Sequence, residues 1–494
     1  MRQSQLIAKN MTVIVLSELV GFGLHLIVTV LIARHLGTHG FGNYSFILAF
    51  VWIFQLIGDC GLSNIMVREM SVRKETLKYQ LGLTKSLIWV QSLAVFTSIV
   101  LAAAFLNLET PVKNSICIMG LASLALLHAI GYSSVFRAME EMEYNAIGFV
   151  SHKALLILLT VVVIQFNGGL VEITAVNVLC NAYLWVLYYL IVKHKYYYPR
   201  VIYDFNTWRH LIYESIPIGI SNLLRGVSLQ VGILMLTALA TASSVGLFSA
   251  PFKVTQSLSL LPQTLAIVLF PYFSRLAKSS QRDLFDAYER NLKFVYLLSI
   301  PLVIVFVILD EAIIDLLFGD KFKDASIAFQ ILSFNIVFLF QTSQFVYVFS
   351  SLGKQRLFTM CSIIGLLVNI GVDILLIPRY DFIGACIGTL SAEMSICGIG
   401  IFFIKTMDRS ISFIRASWKP LVSGVLMASV LFPFRHSSLM WAFCGVVLSS
   451  VAYVLAIGFL RTFSWVELSS LRDALNFLRK KCSSIPSSQS GEVG

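Results

Sequence analysis

Charge is scarce in this sequence. Only 13% of its 494 residues are Asp, Glu, Lys or Arg, too few to cover a water-soluble domain of this size. Metal-binding order is missing as well. The eight cysteines (Cys60, Cys117, Cys180, Cys361, Cys386, Cys397, Cys444 and Cys482) form no C-x-x-C pair, and the eight histidines form no H-x-x-E-H set. A disulfide framework and structural or catalytic zinc are therefore not expected. No Gly-rich nucleotide-binding loop occurs, so ATP is not the expected energy source. The N-terminus enters a hydrophobic run near Met11 without a small-residue cleavage site, which predicts a retained helix.

Apolar surface is what the chain has in excess. Hydrophobic residues make up 57% of it and the mean hydropathy is +0.82. Crossing about 30 Å of hydrocarbon takes roughly 20 apolar residues as a helix, and runs of that kind follow one another with short interruptions. Fourteen spans are expected, from 11–33 and 42–66 through 211–239, 244–274 and 294–318 to 439–460. The fold class is thus all-α integral membrane. With the N-terminus inside, 28 of the 37 Lys and Arg residues fall on cytoplasmic segments and 6 on the opposite side. That asymmetry predicts cytoplasmic termini at both ends. It also accounts for the net charge of +11 without nucleic-acid binding.

An internal repeat shows in two places. Gly42-Asn43-Tyr44-Ser45 opens the second expected span and Gly246-Leu247-Phe248-Ser249 the eighth, at an offset of 204 residues. The turn Phe136-Arg137-Ala138-Met139-Glu140 corresponds to Phe349-Ser350-Ser351-Leu352-Gly353 at an offset of 213. Each offset equals six spans, so the two copies share one orientation in the membrane. The expected organisation is an N-lobe of six spans (1–193), a basic aromatic cytoplasmic linker (194–210) and a C-lobe of six spans (211–406). Two further spans (407–461) precede a cytoplasmic amphipathic helix and disordered tail (462–494), whose helix Ser464-Trp465-Val466-Glu467 opens as a capping box.

Ala33-Arg34-His35-Leu36-Gly37-Thr38-His39-Gly40-Phe41-Gly42-Asn43-Tyr44-Ser45, followed by Gly58-Asp59-Cys60-Gly61-Leu62, resembles the opening of polysaccharide exporters, the O-antigen-type flippases. Val245 to Ser249, the Gly353-Lys354 turn and Leu376 to Ala385 agree in the second half. The likeness runs over about residues 10–405. It implies a V-shaped, two-lobed fold of the superfamily that also holds multidrug exporters and lipid II flippases, with access alternating between the membrane faces. The implied cargo is an oligosaccharide on a polyprenyl pyrophosphate, handled in a bacterial-type cytoplasmic membrane. A polysaccharide polymerase and glycosyltransferases are the expected partners of a monomer.

Charges within spans cost about 2.5–3.5 kcal/mol each on insertion scales, so each calls for a partner, a wet cavity or a function. Arg225 lies mid-span with Ser221, Ser228 and Gly232 at helical spacing, and Lys253 has Ser249, Gln256 and Ser257 near it with Pro251 interrupting the helix. Two roles are open to them: ion pairing between helices, or binding the cargo's pyrophosphate, which arginine can grip bidentately. Lys153 and Arg34 are further candidates, though each lies near a span end where snorkelling suffices. Glu18, His25, Asp59, Asp373 and Glu393 are candidates for coupling to H+ or Na+, or for balancing those cations. No cofactor other than such an ion is expected, and no catalytic residue.

Rival functions differ in what they require. A membrane-embedded glycosyltransferase or sugar polymerase needs a sizeable loop with paired acids, whereas the longest outward loop, Asp310 to Asp324, offers no such geometry. A multidrug exporter of cations would favour acidic pockets, against Arg225 and Lys253. A lipid II-type flippase would use the same cationic chemistry as an oligosaccharide flippase.

Overall fold

The computed structural model describes residues 2–72, 77–196, 201–408 and 411–462. The expected surface helix from Ser464 and the tail from Ser483 lie outside the described residues. Among the described residues the regular structure is helical throughout, and twelve helices are long and apolar enough to cross a membrane.

The first of these, α1 (Arg2–Asp59), is 58 residues long. Straight, it would extend about 87 Å, nearly three bilayer cores. It is not straight. Gly37 has φ 68° and ψ −175°, a conformation that glycine adopts without a Cβ clash, and it folds the helix into a hairpin. Both ends return to one turn: Asn10 Nδ2 donates to the Glu140 carbonyl at 2.7 Å and Lys9 pairs with Glu143 at 3.3 Å. Just past the other end, Ser134 Oγ reaches the Ser63 carbonyl at 3.5 Å. At the bend, His35 Nε2 lies 2.7 Å from the Gly168 carbonyl. These contacts define a Lys9 face and a Gly37 face.

The short helix α2 (Leu62–Val72) follows, and α3 (Leu77–Phe105), α4 (Thr110–Ala138), α5 (Met142–Gln165) and α6 (Leu170–Lys195) pack around α1, with α2 resting on α4. Residues Ile202 to Asp204 then dock on α3, where the Ile202 N–H donates to the Gly82 carbonyl at 3.2 Å. Asp204 caps α7 (Phe205–Leu239), accepting from the N–H groups of Asn206 and Thr207. Hydrogen bonds from the Tyr79 hydroxyl and from Thr207 hold its carboxyl down to about 2.

The second half comprises α7, α8 (Ala242–Ser257), α9 (Leu260–Ser279), α10 (Gln281–Ile308), α11 (Asp310–Phe318), α12 (Ala325–Ser351), α13 (Gln355–Tyr380) and α14 (Phe382–Met407). The last two helices, α15 (Phe413–Leu431) and α16 (Leu439–Phe459), lean on α10, with the Tyr453 hydroxyl donating to the Leu297 carbonyl at 3.2 Å. The fourteen expected spans do not match helices one for one. The first two are arms of α1, and the eighth, 244–274, is split into α8 and α9 at Leu258 and Ser259.

The repeat is visible in the turns. After α4 the Glu141 N–H reaches the Phe136 carbonyl at 2.9 Å, with Glu140 at φ 60°. After α12 the Lys354 N–H reaches the Phe349 carbonyl at 2.8 Å, with Gly353 at φ 70°. Both are Schellman-type endings, equivalent residue for residue at the offset of 213. Packing across the halves is concentrated at the Gly37 face, where Val28, Ile32, Phe41 and Tyr44 share a buried cluster with Ala250, Val254, Phe318, Phe322 and Phe329.

Candidate functional site

A cavity of about 500 Å³ lies between the halves. The arms of α1 supply a largely apolar wall of Phe22, Leu26, Trp52 and Leu56, with His25 and Thr29. The second half supplies the polar wall: Asn222, Arg225 and Gln230 from α7, Lys253, Gln256 and Ser257 from α8, then Ser259 and Gln263. Close approach of the walls depends on Gly226, where a Cβ would fall 2.1 Å from Leu56 Cδ1.

The cavity lies between two places where backbones of the halves touch. Toward the Gly37 face, a Cβ on Gly42 would sit 1.7 Å from the Ala242 carbonyl oxygen. Toward the Lys9 face, a Cβ on Gly219 would sit 2.4 Å from the Cys60 carbonyl oxygen. There Arg68 of α2 also pairs with Glu214 of α7.

Arg225 and Lys253 thus line one cavity, as their placement in the sequence suggested. Lys253 is eleven residues into α8, so it lies about 17 Å below the Gly37 face at 1.5 Å per residue. Arg225 precedes the end of α7 by fourteen residues, or about 21 Å. Both depths fall in the middle of a membrane. Among the described residues neither cation has a hydrogen-bond or salt-bridge partner, and no carboxylate lines the cavity.

Three other candidate charges lie outside this lining. Lys153 of α5 stands against the ring of Phe149, 5.8 Å from its centroid, and does not line the cavity. Glu393 of α14 turns to α12, where its Oε2 accepts from the Thr342 hydroxyl at 3.0 Å. Glu18 lies seven residues before His25 on the first arm of α1, half-buried.

A second, smaller cavity of about 50 Å³ lies inside the second half. Its lining includes Ser228, Gln256, Asn335, Asn369, Thr389 and Glu393. The volume suits a water or a small ion. One turn beyond Asn369, Asp373 is fully buried against Gly388, and neither of its carboxyl oxygens has a partner among the described residues.

Two candidates lie away from both cavities. Asp59 closes the α1–α2 turn, accepting from the Ser63 N–H at 3.2 Å and from its hydroxyl at 3.1 Å. Arg34 sits at the Gly37 face, its Nε donating to the Leu317 carbonyl at 2.7 Å and its Nη2 to the Leu316 carbonyl.

The polar stripe on α7 is rotated from the expected one. The residues on the large cavity are Asn222, Arg225, Gly226, Leu229, Gln230 and Ile233, whereas Ser228 and Gly232 line the small one and Ser221 neither. The spacing 222, 225, 226, 229, 230, 233 is itself a helical stripe, and Asn222 and Gln230 were the available signal.

A family model described as "Polysaccharide biosynthesis protein" matches residues 7–277. A putative O-antigen transporter of Shigella flexneri is 20% identical over 381 residues, covering 72% of this chain and 87% of the relative. An uncharacterized membrane protein of Methanocaldococcus jannaschii is 30% identical over 162 residues, 33% of this chain, and the match spans about a third (32%) of that relative's length. Among solved structures, the lipid II flippase MurJ in an inward closed conformation superposes with a TM-score of 0.73 at 15% identity, covering 92% of this chain and 99% of that one. At that identity the likeness is one of fold.

Proposed function

The chain belongs to the polysaccharide biosynthesis protein family, and we propose that it is a flippase that carries a polyprenyl-pyrophosphate-linked oligosaccharide from the cytoplasmic to the outer leaflet. The route is alternating access, and the end use is a surface polysaccharide of the O-antigen type. One observation carries this most: two mid-depth cations, free of carboxylate partners among the described residues, line one cavity between the halves.

The chemistry follows from the cargo. A pyrophosphate is the part that hydrocarbon tolerates least, and fixed cations in a wet cavity offset that cost. Arg225 grips phosphate oxygens and stays charged, while Lys253 contributes a point charge. Asn222, Gln230, Gln256 and Gln263 offer amides to sugar hydroxyls, and Phe22, Leu26 and Trp52 face the polyprenyl side. Opening the Lys9-face contact loads the cavity from the cytoplasm, and opening the Gly37-face contact releases cargo outside. Both termini are then cytoplasmic, in a bacterial-type cytoplasmic membrane. The protein works as a monomer supplied by glycosyltransferases and drained by a polymerase.

Coupling to H+ or Na+ is assigned to the acids that the fold buries. Asp373 and Glu393 are the strongest candidates because they lie at or beside the small polar cavity, followed by His25 on the wall of the large cavity and half-buried Glu18 on the same arm of α1. The test is depletion of the protein in its host. Lipid-linked oligosaccharide should accumulate facing the cytoplasm and vanish from the outer leaflet; unchanged outer-leaflet glycan contradicts the proposal.

A further inference from the structure

We infer that Arg34 and the paired glycines Gly42 and Gly246 form a two-fold latch that holds the halves closed at the Gly37 face, and that Arg34 acts there and not on the cargo. The orientation of the latch toward the outside rests on the function proposed above.

The latch has two parts. In the first, the second arm of α1 crosses α8 backbone to backbone. A Cβ on Gly42 would meet the Ala242 carbonyl oxygen at 1.7 Å, and a Cβ on Gly246 would meet the Thr38 carbonyl oxygen at 2.0 Å. Thr38 and Ala242 stand 204 residues apart, as do Gly42 and Gly246. Each contact is therefore made twice, once from each copy of the repeat, as in an isologous interface. Small residues that let two backbones touch are how helices associate in lipid, where no hydrophobic drive exists between them. Carbonyl oxygens cannot swing aside as side chains can, so no larger residue fits at either glycine without parting the helices.

In the second part, Arg34 ends the first arm of α1 and donates to the carbonyls of Leu316 and Leu317. Those carbonyls belong to the last turn of α11, where no intrahelical partner remains and the helix end is partially negative. A guanidinium there serves as the cap. The surrounding contacts follow the same seam: Phe41 packs edge-on against Phe322 with centroids 6.1 Å apart, and Lys321 passes 3.4 Å from where a Gly37 Cβ would stand. Arg34, Gly37, Thr38, Phe41 and Gly42 thus meet the second half, while His35 turns to the Gly168 carbonyl of the first, and none of these residues lines the cavity.

Release outward then requires both parts to separate together. Removing the Arg34 cap should favour the outward-open state without touching the cargo site, and a methyl at either glycine should do the same by wedging the crossing.

The experiment reads cavity access and needs no cargo, so its outcome is separate from that of the proposed function. Asn222→Cys places a thiol in the cavity of the full chain, and a membrane-impermeant maleimide is applied from outside or, in inverted vesicles, from the cytoplasmic side. Modification at position 222 is read by peptide mass spectrometry. Arg34→Gln should raise outside modification by at least about tenfold, as expected for losing two charge-assisted hydrogen bonds, and should lower cytoplasmic modification. Arg34→Lys should lie between. Gly42→Ala and Gly246→Ala should match each other and shift access in the same direction. Should the glycine variants fail to accumulate, the Arg34 pair decides alone. Unchanged access in Arg34→Gln, or a rise from both sides, overturns the latch.

Discussion

Arg225→Ala removes one of two cations from the cavity without removing packing, because Arg225 is exposed to the cavity and has no hydrogen-bond partner among the described residues. The loss can be bounded. Two unit charges about 4 Å apart attract by roughly 4 kcal/mol at an effective dielectric of about 20. Water in a cavity of about 500 Å³ reduces that, and a charge-assisted hydrogen bond nets about 1.5–3 kcal/mol. Cargo affinity should therefore fall by about 10- to 150-fold. Arg225→Lys keeps the charge and loses the bidentate grip, so it should retain part of the activity. Lys253→Arg should likewise be better tolerated than Lys253→Gln. The assay is outer-leaflet lipid-linked glycan in cells, normalised to folded protein in the membrane. Wild-type flipping by Arg225→Ala refutes the cationic site. Loss of folded protein would instead show that Arg225 holds helices together.

Other outcomes follow from the same geometry. A reporter active only outside the cytoplasm, fused after Gly494, should stay silent, and a strong signal would show an odd number of crossings. Neutralising Asp373, Glu393 or Glu18 in reconstituted vesicles should change the response of flipping to an imposed pH or sodium gradient, whereas Asp59→Asn, at a turn cap, should mainly lower stability; parental responses in all the first three would place coupling elsewhere. Asp204 has a carboxyl held below its ordinary value, so its stabilising contribution is complete above about 4 and is lost as pH falls through about 2. Asp204→Asn should flatten the dependence of melting temperature on pH over that window, and an unchanged profile would remove the cap from the account.

The parts of this fold that were legible in the sequence are those set by single-helix physics. Apolar runs of membrane length must be helical because lipid leaves backbone groups no other partner, and the repeat at Phe136 and Phe349 appears as two turns with the same hydrogen bonds. The hairpin in α1 was legible as two spans, because the non-helical backbone at Gly37 separates two apolar arms. Arg225 and Lys253 stood out because a charge in a span is costly. Asn222, Gln230 and Gln263 did not, since one amide on an apolar helix points nowhere until its neighbours are known. The rotation of the α7 stripe has that cause: which of two adjacent stripes meets α1 is decided by Gly226 against Trp52 and Leu56, a contact between residues some 170 positions apart. Asp59 was ambiguous because an acid near a span end serves a turn as readily as an ion, and the turn at Cys60 and Gly61, both with positive φ, is what it holds.

The central claim is that this chain moves a lipid-linked oligosaccharide between leaflets through the cavity that holds Arg225 and Lys253. Purified protein in liposomes containing a polyprenyl-pyrophosphate oligosaccharide in one leaflet tests it most directly, with a membrane-impermeant glycosidase reporting transfer to the other. The account predicts transfer by the parent protein and little by Arg225→Ala, at equal amounts of reconstituted protein. Transfer no faster than in protein-free liposomes, or equal transfer by both proteins, would contradict it.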